Sequence, residues 1–253
     1  MVGGFDVFRS RLAAFQDSFI VIGGTACDLN LQPYGGFRRT KDIDMIVVTE
    51  AVDRSFADAL HDFLREGGYS CYVSRDRKPH YYRFLSPRHA EFPVQIEMLS
   101  HSLLPELPDL PFTPISLDSG IRSLSAIVLD PDYYEYAKAH RSFEWGVPCL
   151  TAEALVVFKC AAYLNLLATR RESPELVRSE DLNKHRNDVF RLVGVLPRGV
   201  QFTLPEPLRQ QTAEFARHFR EEVDEWDAIR AAVGPLALSP EAYNQKIVEL
   251  FSL

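Results

Sequence analysis

The chain has 253 residues, of which 46% are hydrophobic and 25% charged, as expected for a folded globular protein of one large domain or two smaller ones. Its formal net charge of -7 argues against indiscriminate attraction to nucleic acid. We find no secretion signal at its start and no apolar run near the roughly 20 residues that a membrane helix needs. The scattered cysteines, without a Cys-x-x-Cys pair, favour buried thiols of a cytoplasmic protein over a disulfide or zinc framework.

Hydrophobic periodicity predicts that helices and strands alternate in the N-terminal half. In chain order, we expect a helix at 6–15, a strand at 19–22, a helix at 25–32, a strand at 43–48, a helix at 51–66 and strands at 69–73, 81–85, 94–99 and 125–129. Because it is rich in proline, the stretch 103–114 is expected to be an irregular surface excursion.

The pattern changes near residue 150, where long helical repeats of apolar residues begin. Helices are expected at 151–169, 179–196, 204–233 and 239–253, with prolines between them. We therefore predict an α+β fold in which a mixed β-sheet core flanked by helices, at 1–150, precedes an all-helical C-terminal half, at 151–253.

The most informative feature is the pair of acids in Asp42-Ile43-Asp44. Residues two apart in a strand point to the same face, so Asp42 and Asp44 share a face while Ile43 faces the other way. Asp-x-Asp is common in solvated turns, but this pair begins an apolar strand that should be buried, where acids need a partner. Mg²⁺ binds through a few carboxylate oxygens together with substrate phosphates. The pair is therefore a candidate metal site for phosphate chemistry.

Two further features extend this candidate site. Gly23-Gly24 joins a predicted strand to a predicted helix, and the backbone N–H groups of such a turn favour a phosphate, although a plain strand-to-helix turn would also explain the two glycines. Glu97 lies on a later strand, on the face opposite Ile96 and Met98. If that strand pairs beside the aspartates, Glu97 becomes the third carboxylate of a cation site.

Together these residues resemble the polymerase-beta-type nucleotidyltransferase superfamily, in which a glycine turn, an acid-x-acid strand and a third acid on a neighbouring strand form the site. The likeness is greater to its abortive-infection toxin (AbiEii-like) branch. The motifs similar to that branch are Gly23-Gly24-Thr25-Ala26, Arg38-Arg39-Thr40-Lys41-Asp42-Ile43-Asp44, Lys159-Cys160-Ala161-Ala162 and the segment 184–192 that contains Asp188. The chain departs from the superfamily's Gly-Ser turn, because Gly24 stands where the serine is common and Thr25 is the candidate substitute.

The resemblance implies a role for each matching residue. Asp42, Asp44 and Glu97 would hold Mg²⁺ or Mn²⁺, and Glu97 would help to deprotonate the acceptor hydroxyl. An NTP would bind at Gly23, Gly24, Thr25, Arg39, Thr40 and Lys184. Lys159 and Asp188 would join the catalytic set, so that the helical half completes the active-site cleft of a nucleotidyltransferase-like domain. A lysine whose ammonium reaches solvent is the alternative for Lys159, and a solvated, salt-bridged helix face is the alternative for Lys184 and Asp188.

The implied activity is transfer of a nucleoside monophosphate from an NTP to a hydroxyl group. In the toxin branch the acceptor would be an RNA such as a tRNA 3′ end, and an antitoxin protein would hold the enzyme in check. Transfer to a small molecule or a protein, and an inactive member that binds nucleotide or a partner, stay open as alternatives. No motif selects among ATP, CTP, GTP and UTP. The basic and aromatic stretch 75–83 is a candidate nucleic-acid surface, although a solvated loop explains it as well.

Overall fold

The structure is a computed structural model that describes residues 1–35, 37–74, 81–100, 112–115, 127, 130–221 and 225–253. The described residues of Met1–Leu117 and Val128–Thr151 form one compact unit, and those of Asp118–Ile127 and Ala152–Leu253 form a second. The first unit contains a mixed β-sheet with helices, and the second is helical. The predicted α+β class with a helical C-terminal half is confirmed.

The first unit is organised around one sheet of eight described strands. They are β1 (Phe19–Ile22), β2 (Asp42–Val47), β3 (Ser70–Ser74), β4 (Tyr81–Leu85), β5 (Gln95–Ser100), β6 (Phe112–Ile115), β7 (Arg141–Glu144) and β8 (Val147–Leu150). Their spatial order is β6-β3-β4-β5-β2-β1-β8-β7. Near the centre, β2 pairs antiparallel with β1 and parallel with β5. Because β2 and β5 run in the same direction, their first residues lie at the same edge of the sheet.

The α-helices described in this unit are α1 (Phe5–Leu12), α2 (Gly23–Leu31), α3 (Arg54–Gly67) and α4 (Pro131–Ala139). α3 begins after Asp53, whose carboxylate accepts a hydrogen bond from the Phe56 amide, and it ends at Gly68 in the left-handed conformation. Its apolar side packs into an aromatic core in which the rings of Phe8 and Phe63 meet edge to face at 6.0 Å. This packing covers β1, since Phe8 also contacts Phe19.

The longer helices described in the second unit are α5 (Ala152–Glu172), α6 (Ser179–Val195), α7 (Glu206–Glu221), α8 (Trp226–Val233) and α9 (Pro240–Phe251), with short 3-10 turns between some of them. α5 packs against both α6 and α7. Phe190 on α6 lies in an aromatic cluster with Phe219, Trp226 and Tyr243. Contrary to the sequence expectation, α5 is long and apolar enough to cross a membrane, but 61% of its apolar stretch is buried, which the core helix of a folded domain also shows.

Several elements differ from the sequence prediction. α4, β7 and β8 were not predicted, and α2 begins at Gly23 rather than Thr25. Within the proline-rich stretch 103–114, residues 112–114 belong to the edge strand β6, where a proline is tolerated because an edge strand need not donate every hydrogen bond. The helix expected at 204–233 is described as two, α7 and α8. Most of the strand expected at 125–129, and residues 75–80 of the basic stretch, lie outside the described residues.

Candidate active site

A row of charged residues crosses three neighbouring strands of the sheet. In the parallel pairing of β2 with β5, Asp42 is opposite Gln95 and Asp44 is opposite Glu97. In the antiparallel pairing of β4 with β5, Arg83 is opposite Glu97. Adjacent strands lie roughly 4.8 Å apart, so Arg83, Glu97 and Asp44 are nearest neighbours on one face of the sheet.

The opposite face of the same strands fixes this arrangement. Ile43, Met45, Ile96 and Met98 are fully buried there. A slip of one residue would exchange these side chains with the acids, so burial of the apolar set holds the register. Asp42 and Asp44 are partly exposed, while Glu97 is buried at 5% relative exposure.

The buried carboxylate of Glu97 is held by two neighbours. Nε and Nη2 of Arg83 lie 3.0 and 2.9 Å from Oε1 of Glu97, and Nε2 of Gln95 donates to the same oxygen at 2.6 Å. A buried carboxylate needs such compensation, because dehydrating an unpaired charge is costly. Neither Arg83 nor Gln95 was predicted to belong to the site from the sequence. The alternation of β4 does put Arg83 on the face opposite Phe84, which is fully buried.

On the other side of Asp44, the glycine turn lies directly against the acidic strand. Gly23 follows Ile22, the partner of Asp44 in β1, and has a φ of +68°. A Cβ atom at this position would stand 2.8 Å from Cγ of Asp44 and overlap its Oδ2. Only glycine therefore allows both the left-handed backbone and the close approach of the carboxylate.

The next two residues of the turn join α2 to the start of β2. A Cβ at Gly24 would stand 2.7 Å from Oγ1 of Thr40. The Thr25 hydroxyl donates to the backbone carbonyl of Asp42 at 2.6 Å. The first backbone N–H groups of α2, which have no partner within the helix, are therefore held beside the aspartate strand, in a position suited to a phosphate.

The arginine beside this turn is Arg38, whereas Arg39 was the arginine predicted from the sequence. Nη2 of Arg38 is 3.8 Å from the position a Cβ at Gly24 would take, and Arg38 is partly buried. Arg39 is exposed. Arg38 lies before the first residue of β2, so strand alternation could not have selected it from the sequence.

Among the described residues, no group of three or more His, Cys, Asp or Glu side chains is arranged to hold a metal ion. The donor chemistry of Asp42 and Asp44 nevertheless suits Mg²⁺, which often binds proteins through only one or two carboxylates together with water and phosphate oxygens. Oε1 of Glu97 is already engaged by Arg83 and Gln95. Binding of the metal ion by Glu97, as a third ligand, therefore stays a prediction.

In the helical unit, Lys159 and Asp188 are brought together. Nζ of Lys159 lies 3.0 Å from Oδ2 of Asp188, and Nη1 of Arg191 lies 3.3 Å from Oδ1 of the same carboxylate. Asp188 is fully buried, and the two cations compensate its charge. Lys184 is instead exposed and pairs with Asp181 one turn away on α6. The roles of these residues toward a nucleotide stay predictions.

No family model matches the chain, and no curated protein matches it. Among solved structures, the chain is similar to an antigenic nucleotidyltransferase-like protein from Paracoccidioides brasiliensis. The TM-score is 0.45 with 17% sequence identity, and the match covers 90% of each chain. A likeness this distant does not assign a function.

Proposed function

We propose that this protein is a divalent-cation-dependent nucleotidyltransferase of the polymerase-beta type, related to the abortive-infection toxin branch. It would transfer a nucleoside monophosphate from an NTP to a hydroxyl group. One observation carries the proposal: Asp44 lies between Glu97, its partner in β5, and Gly23, the first residue of the turn into α2. Carboxylates that suit a cation and backbone N–H groups that suit a phosphate are thus adjacent.

The residues of the first unit divide the work. Asp42 and Asp44 would hold the cation, and a cation bound there would supply positive charge to the phosphates and to the attacking and leaving oxygens. The N–H groups at the start of α2 and the guanidinium of Arg38 would bind the triphosphate. Thr25 fixes the start of β2 through the carbonyl of Asp42, so the carboxylates and the N–H groups keep a constant separation.

In the transfer, the acceptor oxygen forms a bond to the α-phosphorus while the bond from that phosphorus to the α–β bridging oxygen breaks, and pyrophosphate leaves. The hydroxyl group of the acceptor has to give up its proton to a base, and Glu97 would be that base. An RNA acceptor such as a tRNA 3′ end, and control by an antitoxin protein, follow from the resemblance of the motifs to the toxin branch and are part of the proposal.

The test is incubation of the purified full chain with each α-³²P-labelled NTP, Mg²⁺ or Mn²⁺, and total tRNA. The proposal predicts label in tRNA with the wild type and with Glu66→Gln, a control that removes an acid from an exposed ion pair with Arg11. Asp44→Asn or removal of the cation should reduce labelling by at least about 100-fold. Label found only in a protein or metabolite fraction would identify the acceptor as a protein or a small molecule rather than RNA. Labelling that persists in Asp44→Asn, or nucleotide binding without any transfer, would contradict the proposal.

A further inference from the structure

The third carboxylate of the row is already engaged by a permanent positive charge. Glu97 accepts two N–H groups of Arg83 on one oxygen, and the Gln95 amide donates to that same oxygen. Arg83 is itself largely buried, with 18% of its side chain exposed. A guanidinium does not lose its proton in a protein, so its charge stays beside Glu97 at every accessible pH.

We propose that Arg83 is an internal counter-ion that competes with a divalent cation for Glu97 and so sets the affinity of the acidic row for that cation. The inference rests on the proposed function, since it takes Asp42 and Asp44 as the cation ligands. In the resting site the row is ordered Arg83, Glu97, Asp44, with the positive charge at one end. A cation that takes Oε1 of Glu97 as a ligand therefore has to compete with the guanidinium.

Two physical effects of Arg83 both weaken the binding of a cation to the row. Arg83 lowers the negative potential of the row, because its charge is in contact with Glu97 and one strand further from Asp44. It also holds Oε1 of Glu97 with two N–H groups, so a cation would have to compete for that oxygen, and the ammonium of a lysine does not reproduce this two-donor contact. Removing Arg83 therefore strengthens cation binding, and Arg83→Lys should lie between the wild type and Arg83→Gln.

The direction of this effect separates a counter-ion from a merely structural residue. If Arg83 only supported the fold of the site, its loss would disorder the carboxylates and weaken cation binding. A counter-ion role predicts instead that loss of Arg83 gives tighter cation binding. It also predicts lower thermal stability, since breaking a buried ion pair leaves a charge uncompensated.

The experiment measures Mn²⁺ binding to the full chain by calorimetry and by electron paramagnetic resonance of free Mn²⁺, without nucleotide, at about pH 8, where carboxylates are normally ionised. We expect Arg83→Gln to bind Mn²⁺ about tenfold more tightly than the wild type, and Arg83→Lys about twofold to fivefold more tightly. Arg11→Gln is the matched control, because it removes the same charge from an exposed ion pair in the same unit and should change the affinity less than twofold.

A second comparison tests whether the effect passes through Glu97. In a Glu97→Gln background, Arg83→Gln should tighten Mn²⁺ binding much less than it does in the wild type. Unchanged or weaker binding in both Arg83 variants, or no Mn²⁺ binding by any variant, would overturn the proposal. If Arg83→Gln does not fold, Arg83→Lys decides. Nucleotidyl transfer is measured separately, so tighter binding without transfer would support the counter-ion and count against the proposed function alone.

Discussion

Asp44 lies directly opposite Glu97 in the parallel pairing of two central strands, and Gly23 lies against the carboxylate of Asp44 from the other side. Two acids in this position repel each other, and the structure offsets part of that repulsion by placing Arg83 beyond Glu97. The site therefore combines a fixed row of acidic residues, the guanidinium of Arg83 beside that row, and the N-terminus of a helix.

Asp42→Asn and Asp44→Asn should each reduce nucleotidyl transfer by at least about 100-fold, because each removes a negative charge from the cation site without changing the shape of the side chain. Both aspartates are partly exposed, so thermal stability should change little. Titration of activity against Mg²⁺ and a thermal melt of each variant check the two expectations. A large loss of stability with a normal Mg²⁺ response would instead identify a structural ion pair.

Gly23→Ala should lower both stability and activity. The alanine would hold a left-handed backbone, which costs about 1–2 kcal/mol, and its methyl group would displace the carboxylate of Asp44. Gly35→Ala is the matched control, since Gly35 also has a positive φ, +97°, but a Cβ there would meet no atom of the described residues within 4 Å. Urea denaturation should show a loss in both variants, and Mn²⁺ affinity should fall only in Gly23→Ala. Equal Mn²⁺ affinity in the two variants would show that the turn does not shape the cation site.

Lys159→Met should destabilise the protein by about 3–5 kcal/mol, because it removes one of the cations that compensate the fully buried Asp188. Lys184→Met removes an exposed pair with Asp181 and should cost less than about 0.5 kcal/mol. Urea denaturation followed by circular dichroism measures both. If Lys159→Met kept full stability and lost activity, the ammonium of Lys159 would serve the nucleotide rather than the fold.

Glu50 should contribute stability that disappears in acid. Burial raises the pKa of its carboxyl, but the hydrogen bond from Tyr134 and the ion pair with Lys138 outweigh burial and bring the pKa from 4.5 to about 2. Because the pKa is lower in the folded state, this stability is present above about pH 4.5 and is lost as the pH falls toward 2. The side chain is 57% exposed, so solvent screening limits the contribution to about 1 kcal/mol.

The variant that tests this linkage is Tyr134→Phe, which removes the 2.6 Å hydrogen bond to Glu50. Its loss of stability relative to the wild type should be largest near neutral pH and should shrink in acid. Tyr136→Phe, the same chemical change on α4, should give a difference that does not depend on pH in this range. Thermal melts across an acid series measure both. A Tyr134→Phe effect that stays constant down to pH 2 would contradict the assignment.

Periodicity was sufficient to predict the elements that carry the site. β2, β4 and β5 have the apolar patterns of strands, so each was predicted with bounds that differ from the observed ones by at most about one residue. The faces of Asp42, Asp44 and Glu97 followed from the same alternation. The partners of Glu97 did not, because Arg83 is 14 residues away and only the pairing of β4 with β5 brings the two together.

The elements that were missed have weak or short signals. β7 is the polar edge strand Arg141–Glu144, which has no clear apolar alternation, and β8 has only four residues. Both residues of the turn between them, Trp145-Gly146, have a positive φ. Tryptophan is not typical of the first position of such a turn, so the turn was not predicted from the sequence. For α4, the pair Asp130-Pro131 was a usable start signal, since Asp130 caps the helix and proline occupies its first turn.

The most direct test of the central claim is a crystal structure of the protein with Mg²⁺ and a non-hydrolysable NTP. The account predicts a Mg²⁺ ion bound to carboxylate oxygens of both Asp42 and Asp44 at about 2.0–2.1 Å, with the triphosphate on the N–H groups that follow Gly23. A cation or triphosphate bound away from both aspartates and from the start of α2 would contradict it.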